Sequence, residues 1–274
     1  MAHAARSIPF SHVVAAVLLA APLAGQSAGA EPRVQLVRAP AGGLQPRAIV
    51  DDEGVLHVVW LQGEAGGADL FCARSTDGGK TFAAALPVNA RHGTALAIGN
   101  VRGPQLALGP NARLHVLWNG KAPPREGKGA PDAAPLLYAR LADDGRSFES
   151  ERDLIGEHPG LDGGSAIAAD RNGNVYVVWH APERGRQGEA MRRIWVARSS
   201  DGGATFATET MACAVGTGVC PCCGIGAIAG TDGALRILYR IARHGDERGA
   251  VLLAARTGAD SFLLRELDPW RVPT

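Results

Sequence analysis

The chain has 274 residues, 46% of them hydrophobic, with 28 basic and 27 acidic side chains. That length allows one large domain or two small ones, and the near balance of charge excludes the strongly basic footprint of a nucleic-acid binder. Thirty-six glycines and seventeen prolines fit a chain of frequent tight turns.

Residues 1–30 differ from the rest. Arg6 gives a positive start, Val13 to Leu23 run without charge, and Ala28, Gly29 and Ala30 offer small residues before Glu31. The apolar run is too short to span a bilayer and reads as a secretory signal peptide cleaved after Ala30. The expected product is secreted or periplasmic, with no membrane insertion. Losing this segment removes Arg6 and no acid, which leaves the remaining basic and acidic residues in balance. Residues 31–274 read as one domain.

That domain is a repeat. Gly54 to Trp60, Ala112 to Trp118, Gly173 to Trp179 and Gly233 to Tyr239 share one pattern of alternating β-formers ending in a large aromatic. A short apolar strand and a Gly/Asn/Asp turn precede each: Arg47 to Val50, Gln105 to Leu108, Ser165 to Ala169 and Gly226 to Ala229. A second hairpin follows, with strands at Leu70 to Arg74, Leu136 to Arg140, Ile194 to Arg198 and Val251 to Arg256, and a fourth strand such as Phe206 to Met211. Four antiparallel strands at a period of about 60 residues are the unit of a β-propeller, because one such sheet cannot cover both faces alone. The expected blades are 45–95, 102–160, 163–215 and 224–270, in an all-β fold.

The turns closing the third strands carry a motif. Ser75, Asp77, Gly79 and Phe82 form Ser-x-Asp-x-Gly-x-x-Phe, and Ser199, Asp201, Gly203 and Phe206 repeat it. Asp144, Gly145 and Phe148 keep part of it. This resembles the Asp-box, or BNR repeat, of the sialidase-like β-propellers. The resemblance implies a structural motif, in which Asp77, Asp144 and Asp201 organise their turns and the aromatics pack between strands. It also implies six blades, where four are visible. Residues 33–38 offer an outer strand to the last blade, which would close a four-bladed ring, while residues 268–274 read as the lead-in to a further segment.

The tight turns and the Asp-box turns share one end of the blades. The longer connections lie at the other end, which is the end sialidases use, and they are rich in basic groups. Arg102, Arg240, Arg243 and Arg248 are the candidate ligand-binding residues, since arginines hold carboxylates bidentately. The resemblance further implies three arginines on a carboxylate, an Asp acid/base and a Tyr nucleophile with a Glu partner. Arg47, Arg102, Asp162, Tyr239 and Arg240 are the candidates here, although no tyrosine has an evident Glu partner. The expected partner is a glycan or other anionic small ligand, with exo-α-sialidase activity and a protein-binding scaffold as alternatives. No cofactor is expected.

Cys213, Cys220, Cys222 and Cys223 fall just before the last inner strand. In an exported chain they are disulfide candidates ahead of a thiolate metal site, and no metal is assigned. Cys72 reads as a buried free thiol within a strand.

Overall fold

A computed structural model describes residues 36–121, 134–213, 216–243, 247–256 and 262–271. The signal-peptide reading, and residues 33–35 of the segment 33–38, lie outside them. Among the described residues there are sixteen strands in four antiparallel sheets, joined by turns and three short 3-10 segments. Each sheet runs in chain order, so each is one blade.

Blade 1 holds β1 (Leu44–Val50), β2 (Leu56–Glu64), β3 (Gly67–Ser75) and β4 (Leu86–Pro87). Blade 2 holds β5 (Gln105–Leu108), β6 (Leu114–Asn119), β7 (Leu136–Arg140) and β8 (Arg152–Asp153). Blade 3 holds β9 (Ala166–Ala169), β10 (Val175–Pro182), β11 (Arg192–Ser199) and β12 (Thr210–Met211). Blade 4 holds β13 (Gly226–Ala229), β14 (Ala234–Ala242), β15 (Glu247–Arg256) and β16 (Leu263–Arg271).

The first hairpins form because their turns satisfy themselves. Asp51 Oδ1 accepts the N–H groups of Glu53 and Val55, and Asp170 Oδ1 accepts those of Asn172 and Asn174. Such side-chain bonds replace ladder bonds that a turn cannot make. Gly173 turns the chain at φ 85°, where a side chain would be strained, and blade 2 uses Asn111 at φ 56° instead.

Alternation along the second strand then builds the core between blades. Trp118 joins Val59 and Leu61 of blade 1 in one apolar cluster. Trp179 joins Leu117 and Leu136 of blade 2. Tyr239 joins Val178 and Ile194 of blade 3. Each aromatic thus faces the preceding blade, and each is almost fully buried. A buried ring of this size contributes on the order of 5 kcal/mol of gross transfer energy.

The two outer faces of the stack differ. Among the described residues no blade precedes Trp60, yet it too is buried, in a cluster with Val58, Ala73 and the N-terminal Ala39. Gly43 lies so close on its indole that an added methyl would collide with the ring. The far face of blade 4 is uncovered: Ile228 is 62% exposed, Leu238 45% and Leu263 81%. The apolar clusters of the described residues join blades 1 to 2, 2 to 3 and 3 to 4, and none joins 4 to 1.

Two expectations are corrected. Residues 36–38 carry no strand, and blade 4 completes itself with β16. Asp268 to Arg271, the described part of the segment 268–274, lie in that strand and pair with β15. The fourth strand of blade 3 spans only Thr210–Met211. Before it, Ala207 N–H still donates to Arg198 O of β11 at 2.8 Å, and Phe206 packs against the core between blades 2 and 3.

Candidate functional site

The inner strands β1, β5, β9 and β13 begin at the end of the blades where the long connections arrive. There all four blades converge on an axial pocket of about 360 Å³. Gln45 and Arg47 come from β1 and Gln105 from β5, while Ser165 precedes β9 and Gly224 and Ile225 precede β13. Among the described residues of the lining Arg47 is the one charged side chain, and none is a carboxylate. Its Nη2 donates to Gln105 Oε1 at 2.7 Å, an amide that leaves the positive charge uncompensated. Gln45 Nε2 donates to Gly99 O at 2.6 Å, while its Oε1 is buried with no hydrogen-bond partner.

A polar scaffold supports the neighbouring loop. Arg102 donates from Nε to Asp162 O at 2.6 Å and from Nη2 to Asp162 Oδ1 at 2.9 Å. Asn119 Nδ2 holds Gly163 O at 3.0 Å, and Arg192 Nη2 holds Gly160 O at 2.6 Å. Arg192 Nε also donates to His180 Nδ1 at 2.9 Å. Burial, and secondly the Arg192 charge, push His180 down to about 3, so its ring is a neutral acceptor. Burial likewise lowers Arg192.

The other candidates lie apart from the pocket lining. Tyr239 is 2% exposed, its hydroxyl bonds Thr217 Oγ1 at 3.2 Å, and burial raises its phenol. Tyr138 and Tyr176, the remaining tyrosines of the chain, are buried as well. Arg243 pairs with Glu247 and Glu266, and Arg248 Nη2 lies 3.1 Å from Glu189. Arg240 Nη1 donates to Cys223 Sγ at 3.6 Å.

The sequence reading did not single out Gln45, Gln105 or Ser165. Their one signal is position: each stands at or just before the start of an inner strand, where a propeller gathers residues around its axis.

The two Ser-x-Asp-x-Gly turns have the same geometry at the opposite end. Asp77 Oδ1 accepts Thr81 N–H at 2.9 Å and Oδ2 accepts Thr81 Oγ1–H at 2.7 Å. Asp201 does the same with Thr205, at 2.9 and 2.6 Å. Ser75 and Ser199 each donate to their Asp and accept a glycine N–H at 2.8 Å. These bonds hold both carboxyls well below the usual carboxylate range. A smaller cavity of about 260 Å³, lined by Cys72, Arg74, Leu86 and Leu114 among others, draws on blades 1 and 2 alone.

Among the cysteines, Cys220 and Cys223 form a disulfide, while Cys72, Cys213 and Cys222 are free thiols. Cys72 and Cys213 are buried and Cys222 is exposed. The three sulfurs of Cys220, Cys222 and Cys223 lie within 4.8 Å of one another.

The fold is that of a β-propeller. A sialidase of Trypanosoma rangeli superposes with a TM-score of 0.52 at 16% identity, over 85% of this chain and 38% of its own. An α-L-arabinanase of Penicillium chrysogenum gives 0.51 at 12% identity, over 82% of this chain and 66% of its own. A Hadza microbial sialidase gives 0.50 at 15%, over 81% and 46%. The chain therefore spans under half the length of the two sialidases. No family model matches the sequence, and no curated protein matches it. Among the described residues no helix is long and apolar enough to cross a membrane.

Proposed function

We propose that this chain is an exported glycan-binding propeller that takes an anionic sugar in its axial pocket. The observation that carries the reading is the pocket's charge: among its described lining residues Arg47 is the single charged side chain and no carboxylate opposes it. An arginine held by a neutral amide keeps the donors that a sugar carboxylate needs. The sialidases and the arabinanase that share the fold act on carbohydrates, as their names state.

The proposal is for recognition, because all three tyrosines are buried and none lines the pocket. The test is calorimetry of the mature chain, beginning at Glu31, against sialylated and uronate-containing oligosaccharides. Binding of an acidic sugar is expected, weakened at least tenfold in Arg47→Ala, since one charged hydrogen bond is worth about 1.5–3 kcal/mol. Equal affinity for neutral and acidic sugars, or an unaffected Arg47→Ala, sinks the reading. Turnover of a fluorogenic sialoside would replace it with hydrolysis.

A further inference from the structure

We propose that the Cys220–Cys223 turn is a thiol–disulfide exchange site, in which the exposed Cys222 displaces Cys223 from Cys220. The turn lies between β12 and β13 and is fixed at its base. Cys220 N–H donates to Arg240 O of β14 at 3.0 Å, and Cys223 N–H donates back to Cys220 O at 3.4 Å. Cys220 is bonded to Cys223, and the Cys222 sulfur stands 3.5 Å from that of Cys220. The Cys222 thiol thus touches the sulfur it attacks, and a turn of its side chain brings it in line behind the Cys220–Cys223 bond, from where exchange proceeds.

The surroundings assign the parts. Cys222 is exposed, so solvent reaches its thiol and takes up the proton released as it attacks. Cys220 is 4% exposed and is the sulfur attacked. Cys223 is the leaving group, and Arg240 Nη1, 3.6 Å from its sulfur, stabilises the departing thiolate. The Cys222 thiolate supplies the electron pair of a new Cys222–Cys220 bond. The Cys220–Cys223 bond breaks with its pair on Cys223, which takes up a proton from solvent. One disulfide and one thiol stand on each side, so no oxidant or reductant is required. Cys220 stays oxidised throughout and acts as the pivot. Gly224 and Ile225, which follow Cys223 directly, line the axial pocket, so the two bond arrangements present different walls to it. The exchange itself does not depend on what the pocket binds.

The mature chain, purified without reductant and metal-free, is held at pH 8 for hours and then treated with N-ethylmaleimide. It is acidified, digested with pepsin and mapped by tandem mass spectrometry. Cys72 and Cys213 are buried, and burial pushes the Cys72 thiol up to about 12, so native labelling reads the turn. The expected result is label on both Cys222 and Cys223, with two disulfides that share Cys220. Arg240→Gln is expected to lower the Cys223-labelled share severalfold. Cys222→Ser, with a thermal melt like that of the wild type, is expected to leave Cys223 unlabelled. Label confined to Cys222 at every time overturns the proposal. So does label on all three cysteines, which is the result of a chain without this disulfide.

Discussion

Two histidines show how single residues set the behaviour of the molecule in acid. His115 is fully buried, its Nδ1 lies 2.7 Å from the Tyr138 hydroxyl, and burial pushes it down to about 3. His180 is held down to about the same value by burial. Both stay neutral in the fold, while in the unfolded chain they gain a proton near pH 6.5. The unfolded state therefore binds more protons over this range. Their contribution is complete above about pH 6.5 and is lost as pH falls from there toward 3. Denaturation midpoints measured from pH 7.5 to pH 5, above the range where most carboxylates titrate, should fall steadily. His115→Gln should flatten that slope, and an unchanged slope would show that these rings do not govern it. Tyr138→Phe removes the partner of a buried ring nitrogen and should cost about 1–3 kcal/mol in a denaturant titration.

At the scale of elements, the Ser-x-Asp-x-Gly turns and the N-terminal strap are separable from the pocket. Asp201→Ala removes bonds to Thr205 N–H, Thr205 Oγ1–H and Ser199 Oγ–H, and should lower the melting temperature by a few degrees. Its sugar binding should match the wild type in the same calorimetry, because the turn lies at the opposite end of blade 3. Gly43→Ala forces a methyl into the Trp60 indole and should cost roughly 1–3 kcal/mol, the usual range for overpacking. The strands were legible in the sequence because Trp60, Trp118, Trp179 and Tyr239 keep one register, so local pattern and interblade packing agree. β5, β7 and β13 begin and end where their residues predict. The site was less legible. Arg102 and Asp162 were each singled out, but that they neutralise one another across the approach to blade 3 is a meeting of loops that no local pattern encodes. The N-terminal cover over Trp60 was invisible for a similar reason, since Ala39 and Gly43 carry no strand signal and act by proximity alone.

At the largest scale, the described residues form a stack of four sheets whose two outer faces have unlike fates. Blade 4 presents Ile228, Leu238 and Leu263 to solvent, where the equivalent faces of blades 1, 2 and 3 are each covered by the next blade. Exposed apolar side chains of this size promote association, although Arg236 stands among them on the same face. Leu238→Lys with Leu263→Glu should raise the concentration at which light scattering first grows, and an unchanged onset would show that the face is not responsible. At the turn end of the stack, Arg171 of blade 3 reaches Asp52 of blade 1 at 2.9 Å, across the axis. Both groups are largely exposed, so salt should weaken this bridge without unfolding the sheets, whose cohesion lies in the interblade clusters. The segment folded over Trp60 has a larger consequence. Among the described residues a single loop covers one outer face of the array, while Ile228, Leu238 and Leu263 stand exposed on the other, and this difference gives the array a direction.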